Sequence, residues 1–353
     1  MTQIENQNQP RPSRQPYAVK LTTISVEASV VKQRTLSELL FDSANFESFL
    51  ESPPMNIVLF LNLTPGAQKR GGFKLASFGR ASKPLFARDL RTDICAKRTF
   101  YTEQDEGGIV HHIPNPSSWQ AVDLAVEVRC LAWSAALLED VYEGVDNLGI
   151  SFIATRNAAD TQLPVEIPRM HFVQAVFATE GKTGEPGRPR SVFLVEELID
   201  ERVQGQFRKY INNRTPVPTN FIPRTENHNR ALFLAFTQHW QFKRTHGLAF
   251  VSDYQGGNTL LTDPQVMSDE SLGDIFGSGN IPSGCSSFKT THSCNIFCEY
   301  FKIYGNFDPM DEDLPIAMSI SRSALPVPST KGKRKAEEEP EDSRSGSRRR
   351  AET

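Results

Sequence analysis

The stretch from residue 236 to residue 298 constrains the fold of this chain most, because it combines histidine, cysteine, carboxylate and glycine at short spacings. His292, Cys294 and Cys298 fall within seven consecutive positions. If the two cysteines lie on a helix, their separation of four residues puts both sulfurs on one face, with His292 just before that helix. A structural zinc site needs four nitrogen and sulfur ligands, and His239 is the best-placed fourth candidate. The alternative is a helix that simply buries two cysteines.

The middle of the same stretch carries carboxylates. Asp253 follows the apolar run 248–251, so we expect it at the end of a strand, and Asp263 lies in a Thr-Asp-Pro turn ten residues later. Carboxylate and amide oxygens that converge on one point suit magnesium, and Gln255 can supply such an amide. The segment 276–280, Phe-Gly-Ser-Gly-Asn, is glycine-rich, so its backbone can approach a ligand closely. Each of these segments, taken alone, is also compatible with an ordinary turn.

Composition narrows the class of protein. With 353 residues, 38% of them hydrophobic and 23% charged, the chain has room for two lobes or for a domain with tails. Its formal net charge of -3 argues against a protein that coats nucleic acid, since phosphate binding normally shows as an excess of lysine and arginine. The polar N-terminus is unlike a signal peptide, and the sequence has no apolar run of membrane-spanning length. We therefore expect a cytosolic or nuclear protein whose five cysteines form no disulfide framework.

Hydrophobic periodicity predicts a strand-rich amino-terminal half. Strands are expected at 19–27, 55–63, 150–154, 170–179 and 191–198, and helices at 35–49, 119–142 and 231–240. A change of composition near 196–205 predicts an amino-terminal lobe over 17–195 and a carboxyl-terminal lobe over 196–310. Polar composition predicts disordered tails at 1–16 and 311–353.

Two segments of the amino-terminal half could contact an anionic ligand. Residues 66–74 are glycine-rich and basic and lie between two strand-like runs, where backbone N–H groups could cover phosphates; a solvated hairpin turn is the alternative. Lys97 lies within an apolar strand pattern, and an inward-pointing lysine needs an anionic partner because burying an unpaired ammonium is costly. Glu127, on the flank of the predicted helix, could be that partner. Lys97 could instead face solvent from an edge strand.

Five motifs of the carboxyl-terminal half together resemble the atypical alpha-kinase family, which includes myosin heavy-chain kinases and the elongation-factor kinase. The motifs are, in order, His239-Trp240, Asp253-Tyr-Gln-Gly256, Leu261-Thr-Asp-Pro-Gln265, Phe276-Gly-Ser-Gly-Asn280 and His292-Ser-Cys-Asn-Ile-Phe-Cys298. The resemblance is strong over residues 190–305 and thin over residues 17–190. It implies a two-lobed α+β fold of the protein-kinase type, with a structural zinc site in the carboxyl-terminal lobe.

The resemblance also implies catalytic roles. Asp253 resembles the catalytic aspartate of the family, acting as a base toward the acceptor hydroxyl or as a transient phosphate acceptor. Lys209 matches a basic position near the active site. Lys97 resembles the lysine that binds the nucleotide phosphates. These three residues are therefore the expected catalytic set.

Cofactor roles follow from the same resemblance. Gln255 and Asp263 resemble the magnesium ligands, and Glu196 or Glu197 falls where the hinge between the lobes meets adenine. Asn280 belongs to the glycine segment and is an expected cofactor-binding residue. The expected ligands of the closed zinc site are His239, His292, Cys294 and Cys298.

One position departs from the family pattern. Where the family usually has Gly-Asn-Leu-Gly, this chain has Ile281-Pro282 after its Gly-Asn pair. Proline fixes a backbone angle that glycine leaves free, which puts the docking of peptide substrates at this loop in question.

The sequence thus predicts an ATP-dependent serine/threonine protein kinase that uses Mg²⁺, carries structural Zn²⁺, acts on a protein substrate and has no membrane partner. The rival within the same fold is a pseudokinase that binds nucleotide as a scaffold. A zinc-dependent nucleic-acid-binding module is a rival of another class, against which the net charge argues. Basic patches at 331–335 and 348–350 resemble a bipartite nuclear localisation signal, with a merely solvating tail as the alternative.

Overall fold

The computed structural model describes residues 20–42, 45–64, 66–155, 166–181 and 191–310, without the side chains of residues 149–155 and of Pro282. The separate unit Ser321–Thr353 lies wholly outside the described residues. So do the predicted tails at 1–16 and 311–353, both basic patches and most of the loop between the predicted strands 170–179 and 191–198.

Strands predominate before residue 200 and helices alternate with short strands after it. The strands are β1 (Thr22–Val30), β2 (Met55–Leu61), β3 (Lys69–Arg70), β4 (Lys74–Ala81), β5 (Asp93–Gln104), β6 (Val110–Pro114), β7 (His171–Phe172), β8 (Ala175–Glu180), β9 (Val192–Glu197), β10 (Arg208–Lys209), β11 (Ala249–Ser252), β12 (Gln255–Gly256), β13 (Leu260–Thr262) and β14 (Gln265–Ser268). The helices are α1 (Leu36–Phe41), α2 (Ser117–Thr155), α3 (Glu201–Gln204), α4 (Glu226–Arg244), α5 (Pro282–Thr291) and α6 (Ile296–Tyr300).

Six antiparallel strands of the amino-terminal half close into a small barrel. Within the described residues an eight-stranded sheet has the order β3-β4-β2-β1-β8-β9-β5-β6, and β4 also pairs with β5, which closes the circuit. Successive side chains of a strand point to opposite faces, and Ile94 and Ala96 of β5 point inward with Phe193 and Val195 of β9. Lys97 must therefore point outward from the barrel.

Helix α2 connects the barrel to the carboxyl-terminal half. Its 39 residues span about 58 Å at roughly 1.5 Å per residue. It packs against β5 and β9 of the barrel and against α4, β11 and β14. The predicted helix 119–142 lies within α2, and of the apolar residues at helical spacing on it Ala135 is half-buried and the others are buried: Leu124, Val128, Leu131, Leu138 and Tyr142. Within the described ranges no helix, α2 included, is long and apolar enough to cross a bilayer.

In the carboxyl-terminal half, strand β11 packs beside the long buried helix α4. In the described residues one small sheet has the order β10-β12-β13-β7, and β11 pairs with β14. Strand β7 runs parallel to β13 and also packs against α2. The end of β13 lies close to the outer face of the barrel, where Thr262 contacts Lys97.

Three predicted elements differ from the observed ones. Residues 150–154 were expected as a strand but continue helix α2, because a short apolar run fits a buried strand and a helix equally well. The expected helix 35–49 is the short helix α1 followed by a separate 3-10 turn at Phe46–Phe49. The expected strand 170–179 is divided into β7 and β8, which belong to different sheets.

Candidate functional site

Strand register puts two lysines on the outer face of the barrel. Lys97 of β5 pairs with Ala76 of β4, and Lys74, two residues before Ala76, pairs with Thr99. Residues two apart on a strand share a face, so Lys74 and Lys97 project the same way from adjacent strands. Lys74 is 6% exposed and Lys97 is 8% exposed, so both ammonium groups need partners.

The Lys97 ammonium lies against three side-chain oxygens. Its Nζ is 2.7 Å from Glu196 Oε2, 2.8 Å from Thr262 Oγ1 and 3.7 Å from Asp263 Oδ1. The Thr262 hydroxyl donates in turn to Glu196 Oε2 at 2.6 Å. Burial alone would lower the pKa of Lys97, but Glu196 and Asp263 raise it, so the ammonium stays charged. Lys97 points outward from the barrel but is covered by the rest of the protein, so the buried lysine with an anionic partner is observed and the solvent-facing alternative is not.

Lys74, the last residue of the glycine-rich segment 66–74, was not predicted as a site residue. Its Nζ is 2.5 Å from Glu127 Oε2 on α2, and it also donates to Asp263 Oδ1. The predicted pairing of Glu127 with Lys97 is therefore wrong. Lys97 is instead paired by Glu196, on the strand next to its own, while α2 presents Glu127 to the neighbouring lysine. The sequence feature that could have identified Lys74 as a site residue is its position as the first residue of a strand after a glycine-rich turn.

The two lysines determine the charge state of Asp263. Burial would raise the pKa of this carboxyl, but Lys74 and Lys97 hold it below its usual value. Burial would likewise lower the pKa of Lys74, and the Asp263 and Glu127 carboxylates raise it. The Asp263 side chain remains 32% exposed, so a ligand in the cleft can reach an ionised carboxylate flanked by two cations.

Asp253, Gln255 and Asp263 converge as the sequence predicts. Asp253 directly follows β11, Asp263 directly follows β13, and Gln255 pairs with Thr262 across the sheet. The Gln255 Nε2 atom lies 3.2 Å from the Asp263 carbonyl oxygen and 3.4 Å from Oδ2. Both aspartates have left-handed backbone, with φ of 58° and 57°, which is uncommon outside glycine. Such backbone conformations cluster at functional sites.

Two neighbours position Asp253. The Lys209 Nζ atom lies 2.6 Å from Asp253 Oδ1. Tyr254 is anchored to α4 by a 2.9 Å hydrogen bond between its hydroxyl and that of Thr237, and its carbonyl accepts the Tyr210 N–H at 2.8 Å. The segment with Lys209 is therefore fastened beside Asp253. Burial raises the pKa of Asp253, and Lys209 only partly opposes this.

The other predicted cofactor residues already have protein partners. Glu196 pairs with Lys97, and Glu197 accepts the Gln174 N–H at 3.2 Å. The Asn280 side chain accepts the Ser268 N–H at 3.0 Å and donates to Ser268 Oγ at 2.7 Å, which fastens the glycine segment to the end of β14. The contacts of Glu196, Glu197 and Asn280 with a nucleotide stay predictions.

The four predicted zinc ligands form one cluster. The ligand atoms of His239, His292, Cys294 and Cys298 all lie within 4.8 Å of one another. His239 Nδ1 is 3.6 Å from Cys294 Sγ, and His292 Nε2 is 3.7 Å from Cys298 Sγ. Ligands at the corners of a zinc tetrahedron, with bonds of roughly 2.0–2.3 Å, are about 3.3–3.8 Å apart, so these distances fit the ion. Burial lowers the pKa of His239 to about 4 and that of His292 to about 3, which keeps both imidazoles neutral as ligation requires.

The local structure of this cluster differs from the prediction. Helix α6 begins at Ile296, so Cys294 precedes it and only Cys298 lies on it. The two cysteines therefore do not share a helix face. Asn295 caps α6 by accepting the Phe297 N–H, and the turn at this cap directs Cys294 toward His239 on α4.

The geometry can be compared with known proteins. The alpha-kinase family model matches residues 141–298, a range that includes Asp253, Asp263 and all four residues of the His/Cys cluster. Residues 141–298 therefore match the alpha-kinase family, which confirms the resemblance seen in the sequence motifs. Members of this family are protein kinases. The alpha-kinase domain as matched begins after Lys74, Lys97 and Glu127, in agreement with the thin resemblance of the amino-terminal half.

Curated relatives match short parts of this chain. It is 32% identical to myosin heavy chain kinase B of Dictyostelium discoideum over 102 residues, which are 29% of this chain and 12% of that kinase. It is 34% identical to human eukaryotic elongation factor 2 kinase over 115 residues, which are 32% of this chain and 14% of that kinase. The chain thus spans only a small part of these relatives.

Solved structures cover more of the chain at lower identity. The alpha-kinase domain of myosin-II heavy chain kinase A in complex with adenosine is 14% identical, with a TM-score of 0.46 over 82% of this chain and 98% of that domain. An alpha kinase from Entamoeba histolytica is 19% identical, with a TM-score of 0.47 over 79% of this chain and 90% of the other.

Proposed function

We propose that this chain is an ATP-dependent serine/threonine protein kinase that transfers the γ-phosphoryl group to a hydroxyl of a protein substrate. One observation carries the proposal: Asp263 contacts both Lys74 and Lys97 on the outer face of the barrel, and Asp253 lies near enough to interact electrostatically with Asp263 and Lys74. Phosphoryl transfer needs mainly positioning and neutralisation of phosphate charge, and lysines with carboxylates supply both.

The two buried lysines would bind the phosphates. Each has a carboxylate partner that keeps it ionised and directs it into the cleft. Glu127 holds Lys74 from α2, and Glu196 holds Lys97 from β9. The Thr262 hydroxyl bonds both members of the second pair and so fixes the orientation of the Lys97 side chain.

Asp253 would act on the acceptor hydroxyl, as a base or as a transient phosphate acceptor. A base must be within hydrogen-bond reach of the proton it removes and must be ionised at the working pH. Lys209 stabilises the ionised form, and the Tyr254 anchor on α4 holds the backbone at this position. Lys209 is also close enough to Asp253 to neutralise charge that develops there.

Gln255 and Asp263 would hold Mg²⁺ at the phosphate side of the cleft. The oxygen-donor character of an ionised carboxylate beside an amide suits this hard cation, and their side chains are adjacent. When bound, the ion would neutralise negative charge on the phosphates.

His239, His292, Cys294 and Cys298 would bind a structural Zn²⁺. The donor set has two nitrogens and two sulfurs, two of the nitrogen–sulfur separations have the length expected for a zinc tetrahedron, and four protein ligands would leave no open position for chemistry. The ion would connect α4 to the turn between α5 and α6. We assign it a role in stability and none in phosphoryl transfer.

The test is phosphate incorporation from labelled ATP. Purified protein with Mg²⁺ and a generic basic protein substrate should incorporate phosphate on serine or threonine, and Asp253→Asn should abolish incorporation while leaving the zinc content unchanged. Full activity of a clean Asp253→Asn preparation would overturn the catalytic assignment. Nucleotide binding by the wild type without any incorporation would favour a pseudokinase scaffold instead.

We also propose a cytosolic or nuclear location, on the basis of the patches at 331–335 and 348–350. A fluorescent fusion of the full chain should lose nuclear signal when the lysines and arginines of both patches are changed to alanine. Equal distribution of the two fusions would exclude a nuclear signal in these patches.

A further inference from the structure

A short segment that follows helix α6 crosses the His/Cys cluster, and we refer to residues 302–310 as the strap. The family match ends at residue 298, so the strap lies beyond it. Its backbone or side chains contact ligands on both sides of the cluster. The strap therefore belongs to the surroundings of the proposed zinc site, and each contact has a chemical consequence.

The strap determines which nitrogen of His239 can bind a metal. His239 Nε2 is 2.9 Å from the backbone oxygen of Asn306. A carbonyl oxygen can only accept, so Nε2 must carry the proton and donate it. In a neutral imidazole the lone pair is then on Nδ1, the atom that lies 3.6 Å from Cys294 Sγ. The Asn306 carbonyl thus presents the unprotonated nitrogen of His239 to the cluster.

The strap also contacts a sulfur ligand. The Gly305 N–H donates to Cys294 Sγ at 3.3 Å. A backbone N–H aimed at a sulfur stabilises the thiolate, which is the form that binds a metal. Gly305 has φ of 66°, a left-handed conformation that glycine adopts without strain and that turns this N–H toward the cluster.

Phe307 covers the imidazoles. Its ring stacks on that of His239 with centroids 4.3 Å apart and packs edge-on against His292 at 6.1 Å. It also packs against Phe242 and Phe288, which line the same side of the cluster. The ring therefore limits access of water, and of competing ligands, to the metal position.

Lys243 fastens the strap to helix α4. It lies one helical turn after His239, is 4% exposed, and donates to Asn306 Oδ1 at 3.1 Å and to the Asp308 carbonyl oxygen. One helix thus supplies a cluster ligand and, four residues later, the cation that holds the partner of that ligand. The strap cannot leave His239 without breaking the contacts of a buried ammonium, which is costly.

We propose that residues 305–308 are the outer shell of the zinc site, and that Lys243 is a positioning residue that controls how firmly the metal is held. This inference rests on the proposed structural zinc. Partners that orient metal ligands typically change metal affinity by about 10–100-fold when they are removed.

The experiment measures zinc release from the full chain. Wild type, Lys243→Met and Asn306→Ala are purified with zinc, their metal content is measured, and the rate of release to excess chelator is followed with a chromogenic zinc indicator at 25 °C. Lys243→Met keeps most of the apolar stem, and Asn306→Ala keeps the backbone carbonyl but removes one of the two strap acceptors of Lys243, leaving the Asp308 carbonyl. We expect release to be about 10-fold faster or more in both variants.

Lys289→Met is the matched control, because Lys289 is an exposed lysine three residues before His292 and makes no contact with the strap in the described residues. It should release zinc at the wild-type rate. Circular dichroism identifies any variant that fails to fold, and Asn306→Ala, which leaves no buried charge unpaired in the core of α4, decides the result if Lys243→Met does not fold.

Cobalt substitution provides a spectroscopic measurement that a change in protein stability alone would not alter. The thiolate-to-cobalt charge-transfer band of Co²⁺-loaded protein should shift to lower energy in Asn306→Ala, because the Gly305 N–H no longer stabilises Cys294. Wild-type release rates and an unshifted band in both folded variants would overturn the role of the strap alone. A wild-type chain that binds no zinc would overturn the zinc site and the strap together.

Discussion

The charged residues of the cleft balance one another in a small, largely buried volume. Lys74 and Lys97 face the carboxyl groups of Glu127, Glu196 and Asp263. Removing two ions from water costs more than their attraction returns unless geometry is good and hydrogen bonds are complete. Here Thr262 supplies an additional hydrogen bond and Asp263 is shared by both lysines. A function that requires charges at fixed positions therefore explains this group of lysines and carboxylates better than a gain in folding stability does.

Replacing Lys74 by methionine should destabilise the protein by about 3–5 kcal/mol, because Glu127 would remain buried without its cation. Urea denaturation measures the change, and a Glu127→Gln background should reduce the cost because the uncompensated charge is gone. Lys83→Met, at an exposed lysine, should stay within about 0.5 kcal/mol of wild type. Equal effects at positions 74 and 83 would contradict the buried pair.

Asp253→Asn should stabilise the protein near pH 7 while it abolishes activity. The pKa of Asp253 is raised by burial, so the folded state binds this proton more tightly than the unfolded state does. The ionised carboxylate therefore opposes folding above its raised pKa, and this penalty disappears as pH falls below the ordinary carboxyl value. Urea denaturation in magnesium-free buffer at pH 7 and pH 4 should show a larger gain in stability for Asp253→Asn at pH 7 than at pH 4. A variant less stable than wild type at pH 7 would mean that Lys209 outweighs burial.

At the scale of elements, the long helix α2 holds the barrel against the carboxyl-terminal half. Close approach at Gly144 makes this packing possible. A Cβ atom at this position would be 2.1 Å from Cζ2 of Trp240 on α4, a separation that no pair of carbon atoms tolerates. Trp240 is itself 5% exposed and directly follows the cluster ligand His239. The α2–α4 contact thus connects the stability of the helix pair to the geometry of the His/Cys cluster.

Gly144→Ala should destabilise the protein although alanine is the better helix former. Helix propensity favours alanine by about 1 kcal/mol, but overpacking against Trp240 costs roughly 1–3 kcal/mol and the backbones must separate. Thermal unfolding would show a lower Tm, and Trp240→Phe in the same chain should recover part of it by removing the clashing atoms. Gly72→Ala is the control, since its Cβ would meet nothing within 4 Å. A higher Tm for Gly144→Ala would show that α2 and α4 are less tightly packed.

At the scale of the whole molecule, the catalytic residues and the His/Cys cluster lie on different faces of α4, because Thr237 and His239, two positions apart on a helix, point in roughly opposite directions. Tyr254 contacts Thr237 near the middle of α4, and His239 follows on the next positions. The cluster connects α4, α5 and α6, whereas Asp253 and Asp263 depend on β11 and β13. Folding and phosphoryl transfer should therefore be separable by mutation.

Cys298→Ala should lose zinc and lower both solubility and Tm, whereas Asp253→Asn should retain a wild-type zinc content. A chelator such as 1,10-phenanthroline should likewise lower the Tm of wild type and have no further effect on Cys298→Ala. Metal analysis and scanning calorimetry measure both outcomes. A zinc-free Cys298→Ala protein as stable as wild type would argue against a structural role for the ion.

Sequence patterns predicted the parts of the site that are local. Asp253 and Asp263 stand at strand ends because an apolar run precedes each, and Gln255 lies between them by simple spacing. The His/Cys cluster was predicted from motif and spacing, but its arrangement on helices was not, since the cap at Asn295 begins α6 after Cys294. Short-range periodicity also misassigned residues 150–154, because an apolar run of that length does not distinguish a strand from a helix.

The sequence by itself determined the residue types, their order, and the short turns that hold Asp253, Asp263 and the four His/Cys ligands. Only the tertiary structure decided which lysine meets which carboxylate. Lys74 and Asp263 are 189 positions apart, and they meet because β4 pairs with β5 in one register and the closed barrel turns that face toward β13. The partners of Glu127 and Glu196 follow from the same register. The local sequence pattern does not reveal this register, because strand pairing depends on the packing of the whole barrel and its apolar core.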